Sequence, residues 1–537
     1  MTNLTRSLVL GCSVLALAAC GPDDIASPGT GGNVIINNPP APAPTPTPTP
    51  TPPATVSPAA GCPTISDPQG LTDAGTISGP TGTWRVCTLP RVISVSTTLP
   101  KVAGLLYQLN GRVDVGCDGG FSAPTAGAPV TTSTVSCPIT QPMTADSNVN
   151  LTIAPGAIVF GGTGQSWLAV NRGNKLTATG TATQPIIFTS RDNVLGLNDN
   201  NSQGQWGGVV LLGRGRTTDC TVGTVGGGTC ERQTEGAPDP ARFGGADDTY
   251  NAGRMSFVQI RFSGFILGAN VELQSLTTEA IGSGTTLDHI QSFNSSDDGA
   301  EFFGGQFGLK YYIATGADDD SLDVDTGARV DVQHALLIQR PGQGDALFEI
   351  DSNGNEADTP RTRLRVANFV ALQPQTSSNN ESNDQAASLF RGNSDITLVN
   401  GIIAAPNNEC LRLNGSGGAN AVTFAARSVV MQCNATKYIG TGTYTAATVA
   451  TAFGTGANNN NDAFTSTLTS LFVNGANEDA VAAFDASTLS TFFEVPSPNR
   501  IGAAWTGNNS WYNGWTCNSS YANFGANTGD CTSLPIT

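Results

Sequence analysis

Charged side chains are scarce in this sequence, and histidine is almost missing. Only 12% of the 537 residues are charged, and the chain has two histidines. That charged share is about half of what a soluble domain usually carries. Acidic residues outnumber basic ones 42 to 25, which gives a formal net charge of −17. Nucleic-acid-binding proteins use basic patches, so this balance excludes nucleic acid as an expected partner and favours cations.

Several motifs of enzyme chemistry are also missing. No Gly-x-Ser-x-Gly nucleophile elbow occurs, and the cysteines show no Cys-x-x-Cys spacing for zinc. The glycine-rich stretches lack the Lys-Ser/Thr of a phosphate-binding loop, so we interpret them as turns. These absences argue against serine-nucleophile, zinc and nucleotide chemistry.

The amino terminus has the features of a bacterial export signal. Arg6 precedes an apolar run from Leu8 to Ala18 that is too short to span a bilayer. The run ends in Leu-Ala-Ala-Cys20, which resembles the bacterial lipobox, whose cysteine becomes the acylated first residue. We predict a signal peptide over residues 1–19 and lipidation of Cys20, with ordinary cleavage near Ala19 as the alternative. Gly21 follows the cysteine, as in outer-membrane lipoproteins, so the predicted location is the outer membrane, on its cell-surface or periplasmic face.

A stalk follows the predicted lipid anchor. Residues 20–61 are rich in Pro, Thr, Ala, Gly and Asn and contain a Thr-Pro repeat. Such a segment buries too little apolar surface to fold, and proline keeps it extended. Forty such residues reach about 100 Å at 3.1 Å per residue.

Ten further cysteines lie in close couples along the chain. An even number of cysteines in an exported protein indicates disulfides, and the short intervening loops favour sequential pairing. The predicted pairs are Cys62–Cys87, Cys117–Cys137, Cys220–Cys230, Cys410–Cys433 and Cys517–Cys531.

Short strand-like segments recur at intervals of 22 to 34 residues. Their third position forms a column that reads Gln259, His289, Tyr311, His334, Asn368 and Asn400. A repeat this short suits one coil of a solenoid rather than a βαβ unit. His289 and His334 would lie two coils apart, about 9 to 10 Å, with Tyr311 between them. We therefore interpret this column as a structural ladder rather than a catalytic site.

A second column alternates apolar and polar residues, which is the period of a strand. Its segments align without internal gaps and are Ala300-Glu301-Phe302-Phe303, Leu322-Asp323-Val324-Asp325, Phe348-Glu349-Ile350-Asp351, Phe390-Arg391-Gly392-Asn393 and Leu411-Arg412-Leu413-Asn414.

Three further motifs carry a family resemblance over residues 150 to 515. They are the strand Trp206-Gly-Gly-Val-Val-Leu-Leu-Gly, the turn Ser296-Asp-Asp-Gly-Ala-Glu-Phe-Phe-Gly-Gly, and the closing Ile501-Gly-Ala-Ala-Trp with Trp511-Tyr-Asn-Gly-Trp515. The chain resembles the pectate-lyase-like family of parallel β-helix proteins, and more narrowly bacterial surface lipoproteins that share these motifs. The resemblance implies an all-β fold, a right-handed parallel β-helix.

We place the β-helix at residues 150–436 and predict a cap at each end. The disulfide-rich region 62–149 is the expected N-terminal cap, with a β-sandwich as the competing interpretation. Residues 437–537 are the expected C-terminal capping region, closed by Trp505, Trp511 and Trp515.

Stacked coils lie about 4.8 Å apart, so acidic side chains on successive coils form ladders. Glu301, Asp323 and Glu349 form one ladder, which continues into Arg391 and Arg412. Like charges at this spacing repel, so either some acids are protonated or a cation lies among them. Oxygen-rich, multiply charged sites suit Ca²⁺, and a solvated acidic face is the alternative. The predicted metal ligands are Asp297, Asp298, Glu301, Asp319, Asp320, Asp323, Asp325, Glu349 and Asp351.

Two functions fit these observations. The first is a surface protein that binds glycan, another surface protein or an outer-membrane transporter through a calcium-stabilised acidic face. The second is a calcium-dependent polysaccharide lyase or a glycoside hydrolase, because lyases of the resembled family hold Ca²⁺ with acids and remove a proton with Arg or Lys. In the enzyme, Asp323 and Arg391 would be the catalytic residues. In either case the predicted ligand-binding residues are Phe303, Arg391, Arg412, Asn393 and Asn414.

Overall fold

The computed structural model describes residues 55–536 except for 163, 236, 238, 269–270, 353–356, 377–385, 416–420, 509–510 and 527–528. The predicted signal peptide, Cys20 and most of the stalk lie outside the described residues. The described residues fall in one compact unit that spans Ala54–Thr537. None of its helices is long and apolar enough to cross a membrane.

The strands form two long sheets that run along the molecule in parallel coils. Sheet A has 15 strands: β1 (Thr72–Gly79), β2 (Gly82–Thr88), β4 (Thr97–Leu99), β5 (Leu105–Leu109), β7 (Asn150–Ile153), β8 (Ile158–Gly161), β10 (Lys175–Thr179), β11 (Ile186–Ser190), β15 (Gly253–Arg261), β19 (Thr286–Phe293), β21 (Gln306–Thr315), β23 (Arg329–Ile338), β25 (Thr362–Leu372), β27 (Ser394–Ala405) and β29 (Thr423–Cys433). Sheet B has 11 strands: β3 (Val92–Ile93), β6 (Arg112–Val115), β9 (Trp167–Val170), β12 (Val209–Leu212), β18 (Leu276–Glu279), β20 (Ala300–Phe303), β22 (Asp323–Asp325), β24 (Phe348–Ile350), β26 (Ser388–Phe390), β28 (Leu411–Asn414) and β30 (Tyr438–Thr441).

Two small hairpins and three short helices complete the described elements. The hairpins are β13 (Arg232–Gln233) with β14 (Arg242–Phe243) and β16 (Ile266–Gly268) with β17 (Val271–Glu272). The helices are α1 (Arg191–Leu195), α2 (Ala446–Phe453) and α3 (Ala476–Asp479), and a 3₁₀ turn spans Ala486–Thr488.

One continuous apolar core fills the space between the two sheets. Each coil contributes alternate residues to it, such as Phe302, Val324 and Ile350 from sheet B. Neighbouring strands of both sheets pair in parallel, from β2 with β5 to β28 with β30. The predicted fold class, an all-β parallel β-helix, is confirmed.

A left-handed residue bends each long strand of sheet A at the same place. The seven residues of this kink column are Phe257, His289, Tyr311, His334, Asn368, Asn400 and Ser428, with φ between 50° and 61°. In its middle, the rings of His289 and Tyr311 stack with centroids 4.4 Å apart, and those of Tyr311 and His334 with centroids 5.0 Å apart. The column is therefore a structural stack.

The predicted column was wrong at its first member. Gln259 pairs with Gln291, and the kink residue of that strand is Phe257, whose ring stacks on His289 at 4.2 Å. The two candidates are two residues apart, and a pattern of period two looks the same after such a shift.

The β-helix begins well before residue 150. Strands β2 and β5 belong to sheet A, while β3 and β6 belong to sheet B, and all four join their sheets in parallel. Only β1 pairs antiparallel, with β2. The competing β-sandwich interpretation is therefore wrong. Residues 55–71 supply partly buried apolar side chains, such as Ile65 and Leu71, that pack against this end of the core.

The C-terminal region has two parts. Helix α2 closes the last coil, because its Val449 and Phe453 enter the core. Residues 464–534, which we call the strap, run back along the outer face of sheet A. The strap ends at Leu534, which packs in one cluster with Val56 and Trp84 of the first coils.

The tryptophans therefore do not close the C-terminal end, as the sequence had led us to expect. Trp515 packs against Phe257 and His289 in the middle of the molecule. The strap reaches that position because its apolar side chains cover outward residues of sheet A that would otherwise face water.

Amide side chains of sheet A hold the strap backbone in place. Asn400 donates to the Phe484 carbonyl at 2.9 Å and accepts from its N–H at 2.7 Å. Gln333 makes the same pair of bonds with Glu494, and Gln291 does so with Cys517. Each amide thus satisfies both backbone groups of one strap residue.

All five predicted disulfides are present, with sequence separations of 10 to 25 residues. Each closes a local loop, and Cys517–Cys531 lies within the strap.

Candidate functional site

The acidic ladder lies on the outer side of sheet B. Glu301 of β20 pairs with Asp323 of β22, and Asp323 pairs with Glu349 of β24. The predicted stacking of these three residues is confirmed. They face outward because the residues between them, Phe302, Val324 and Ile350, point into the core.

The preceding turns bring further carboxylates to the same place. Asp298 Oδ1 accepts a hydrogen bond from the Asp320 N–H at 2.9 Å, one coil further on. Asp320 Oδ1 in turn accepts from the Ala346 N–H at 2.7 Å. These bonds fix one oxygen of each carboxylate and link successive turns.

We call the nine predicted metal ligands the acidic cluster, and the structure brings two triads of them close together. Asp297, Asp298 and Asp319 each place a carboxylate oxygen within 4.8 Å of the others. Asp298, Glu301 and Asp323 do the same, so Asp298 belongs to both triads.

The charge in each triad is too costly to leave uncompensated. Two like charges 4.8 Å apart repel by about 3 kcal/mol at an effective dielectric constant of about 20. Three ionised carboxylates would therefore cost about 10 kcal/mol, which is comparable with the whole stability of a typical domain. Each triad must hold protons or a cation.

Several oxygens of the cluster have no hydrogen-bond partner. Asp323 Oδ1 and Asp325 Oδ1 are buried without one. The Glu301 side chain accepts no hydrogen bond from the part of the chain described, although the residue is only 6% exposed. Buried carboxylate oxygens normally find a donor or a metal, so these atoms are available as ligands.

Burial raises the pKa of the acidic groups well above their ordinary values. It is the main cause for Asp298, Glu301 and Asp323, and neighbouring carboxylates raise the pKa of each further. Arg391 acts in the opposite direction on the pKa of Asp323. Without a cation these groups favour the protonated state at neutral pH.

Arg391 and Arg412 do not occupy the predicted positions. Glu349 pairs with Leu389, and Leu389 pairs with Arg412. Continuing the pairing of Ile350 with Phe390 places Arg391 beside Asp351. Residues 351–387 form a long excursion between these strands, so alternation alone could not fix the register.

The new position of Arg391 argues against its predicted role as a catalytic base. Its guanidinium is ion-paired with Glu349 and lies 3.2 Å, from Nε to Oδ2, from Asp351. A cation held by two carboxylates is stabilised in its protonated form and is poorly placed to remove a proton.

Three of the predicted ligand-binding residues are buried. Phe303 is 1% exposed because residues 213–252 cover it, with Phe243 at a ring-centroid distance of 6.2 Å. Asn393 accepts from Arg361 Nη1 and donates to the Asp358 carbonyl, and Arg412 is also buried. These three do not offer a surface to a glycan. Asn414 is half-buried and accepts from Thr441 Oγ1 at 2.8 Å.

Sequence reasoning missed some neighbours of the cluster. Asp345 belongs to the turn after Asp319 and Asp320, and its charge raises the pKa of Asp320. Arg232 lowers the pKa of Asp325, and Glu235 raises that of Asp297. Asp345 follows Asp319 by 26 residues, so the repeat could have revealed it. Arg232 and Glu235 lie in an excursion without periodicity and gave no signal.

Comparison with known proteins gives one match. A family model described as a pectate-lyase-like β-helix domain matches residues 130–516. No curated protein and no solved structure matches the chain significantly.

Proposed function

Because the chain belongs to the family of pectate-lyase-like β-helix domains, we propose that it is a lipid-anchored surface protein that binds a carboxylated glycan through calcium at the acidic cluster. The observation that carries the proposal is the triad of Asp298, Glu301 and Asp323. Its ligand oxygens lie within 4.8 Å of one another, and Glu301 and Asp323 Oδ1 have no hydrogen-bond partner among the described residues.

The donor set suits calcium. The two triads offer only carboxylate oxygens, and Ca²⁺ takes six to eight oxygen ligands in a flexible geometry. Zinc sites use His or Cys, and neither residue type belongs to the triads. A bound Ca²⁺ would remove the repulsion within the triad and satisfy the unpartnered oxygens.

A carboxylated glycan is the ligand class that such a site favours. Three protein carboxylates do not fill six to eight coordination positions, so oxygens of a ligand or of water complete the shell. The cluster by itself repels anions, and the cation reverses that preference. Binding would therefore require calcium.

Binding is favoured over catalysis by the position of Arg391. A lyase needs a group that removes a proton, and both neighbours of Arg391 are carboxylates that keep it charged. A calcium-dependent lyase or hydrolase is the alternative, and the glycan experiment below distinguishes it.

The anchor at Cys20 and the outer-membrane location are part of the proposal and rest on the lipobox-like sequence. Metabolic labelling with a radioactive fatty acid should label the wild-type protein and not Cys20→Ser. Label on both proteins would contradict the anchor. An outer-membrane transporter as partner stays a prediction from the sequence.

The calcium site is tested by thermal unfolding of metal-free protein. At a calcium concentration 100 times its dissociation constant, binding stabilises by about 2.7 kcal/mol. For a unit of this size that corresponds to a rise in Tm of about 3 °C. We expect this rise for the wild type and for Glu494→Gln, a control whose side chain is 72% exposed. Glu301→Gln should lose most of it, and an equal rise in all three proteins would contradict the site.

The ligand is tested with hexagalacturonate. We expect binding by isothermal titration calorimetry in 2 mM Ca²⁺, no binding in excess chelator, and no binding to Glu301→Gln. Absorbance of unsaturated product at 235 nm should stay flat. A calcium-dependent rise in absorbance would replace binding with lyase activity, and binding that persists in chelator would contradict the role of calcium.

A further inference from the structure

The strap contains a cleft of about 830 Å³ that the acidic cluster does not share. One wall is the hairpin Thr469–Val473, and the other is the disulfide loop around Ser519–Ala526. Thr506, Tyr512 and Asn513 lie between them. This volume falls within the range of small-molecule sites, about 300 to 1,000 Å³.

No charged residue lines the cleft among the described residues. Its lining consists of hydroxyl, amide, aromatic and aliphatic groups. The contrast with the acidic cluster is sharp, because a cleft without charge gives neither attraction nor repulsion to an ion. The lining therefore selects for a neutral ligand.

Aromatic side chains give the cleft a rigid floor. Phe472 contacts Tyr512 edge to face at 5.1 Å and stacks on Phe524 at 5.3 Å between ring centroids. Tyr521 is half-buried and donates its hydroxyl proton to Asn294 Oδ1 at 2.5 Å. Fixed rings of this kind lose little entropy when an apolar ring face packs on them.

Polar groups at the rim are not used within the protein. The side chains of Ser470, Thr506, Asn513 and Ser520 line the cleft, and no residue in the described ranges hydrogen-bonds to them. All four are exposed or half-buried. They can donate to and accept from a polyhydroxylated ligand without breaking any bond in the protein.

The hairpin holds two consecutive residues in a strained conformation. Ser470 and Leu471 have φ of 46° and 77°, in the left-handed region that non-glycine residues rarely adopt. Thr469 and Val473 exchange two backbone hydrogen bonds, at 2.7 and 2.9 Å, that keep the turn closed. Strain of this kind concentrates at ligand clamps, and here it places the exposed Leu471 on the wall of the cleft.

We infer that this cleft binds an uncharged sugar chain. Such a ligand combines apolar ring faces with many hydroxyl groups and carries no charge, which matches the floor, the rim and the lining. The cleft needs no metal, because it offers no carboxylate. It is therefore a second binding site, independent of the calcium site and of the function proposed for it.

Calorimetric titration in excess chelator tests the inference with three neutral probes: cellohexaose, xylohexaose and mannohexaose. Chelator removes any contribution of the calcium site, so failure there does not affect the result. We expect at least one probe to bind the full-length protein with a Kd below about 1 mM, and hexagalacturonate not to bind under these conditions.

The double variant Thr506→Val, Asn513→Ala should weaken the bound probe about tenfold, because it removes two rim hydrogen bonds. Asn407→Ala, an exposed asparagine on another face, is the matched control and should bind as the wild type does. Unchanged melting temperatures establish that both variants fold. Leu471→Ser, which keeps the turn but removes the apolar wall, should also weaken binding. Absence of binding by all three probes, or equal affinity of the double variant and the wild type, would overturn the inference.

Discussion

At the residue scale, Glu279 is a carboxyl group with no place in the proposed site. It is completely buried on the outer side of sheet B, beneath residues 213–252. Thr234 Oγ1 donates to it at 2.8 Å, while its Oε1 has no partner. Burial raises the pKa of Glu279 to about 8, although Arg232 and Arg112 act to lower it and Glu235 adds to the rise. The folded protein therefore keeps this group neutral at pH 7.

This burial predicts a pH-dependent stability. The folded-state pKa lies above the unfolded value of 4.5, so the group contributes stability at low pH that is lost as pH rises from about 4.5 through 8. Glu279→Gln cannot ionise and should lack this loss. We expect the variant to gain up to about 4 kcal/mol over the wild type between pH 5 and pH 8. Denaturant unfolding at both pH values measures it, with Glu494→Gln as control. A pH-independent difference would contradict the assignment.

At the element scale, the kink column explains how a long strand turns without a loop. A left-handed residue reverses the local curvature at one position, so the same strand can wrap around the core. Asn400 combines this backbone conformation, with φ of 55°, with the two hydrogen bonds to Phe484 of the strap. Its backbone and its side chain thus do separate work.

Two substitutions at Asn400 separate these contributions. Asn400→Gly and Asn400→Ala both lose the bonds to Phe484, but only alanine resists the left-handed conformation. We expect the alanine variant to be less stable than the glycine variant by about 1 kcal/mol in denaturant unfolding. At Thr397, in the same strand before the kink, the order should reverse because glycine weakens a strand. The same order at both positions would show that the kink stores no strain.

At the scale of the whole molecule, the strap joins coils that are far apart in sequence. It follows the outer face of sheet A and reaches the first coils at Leu534. Arg261, fully buried, donates to the carbonyls of Cys531 and Ser533 at 2.9 and 2.8 Å. A solenoid coil contacts only its neighbours, so such a segment adds the long-range contacts that the coils lack.

This arrangement predicts which fragment folds. A chain that starts at residue 54 keeps every described coil and should be soluble and monomeric by size-exclusion chromatography. A chain that starts at residue 150 leaves β8 without β5 and β9 without β6, and it exposes an unpaired apolar end of the core. We expect it to aggregate. Equal solubility of both fragments would mean that residues 54–149 are not an integral part of the β-helix.

The sequence was most informative where its repeat was regular. Between residues 287 and 351 the coils are 22 to 26 residues long, and there the stacking of Glu301, Asp323 and Glu349 could be predicted. Beyond Asp351 a long excursion interrupts the repeat, and the alignment of Arg391 was shifted by two residues. A strand pattern repeats every two residues, so alternation cannot detect that shift.

By itself, then, the sequence determined the parallel β-helix, the five disulfide pairs and the acidic ladder, because each follows from local spacing. Only the tertiary structure decided that the first coils begin near residue 82, that Phe303 is covered, and that the strap runs back along sheet A. These features arise where segments without periodicity pack against distant residues. Their positions depend on the shape and the unsatisfied hydrogen bonds of the folded surface, which no local pattern encodes.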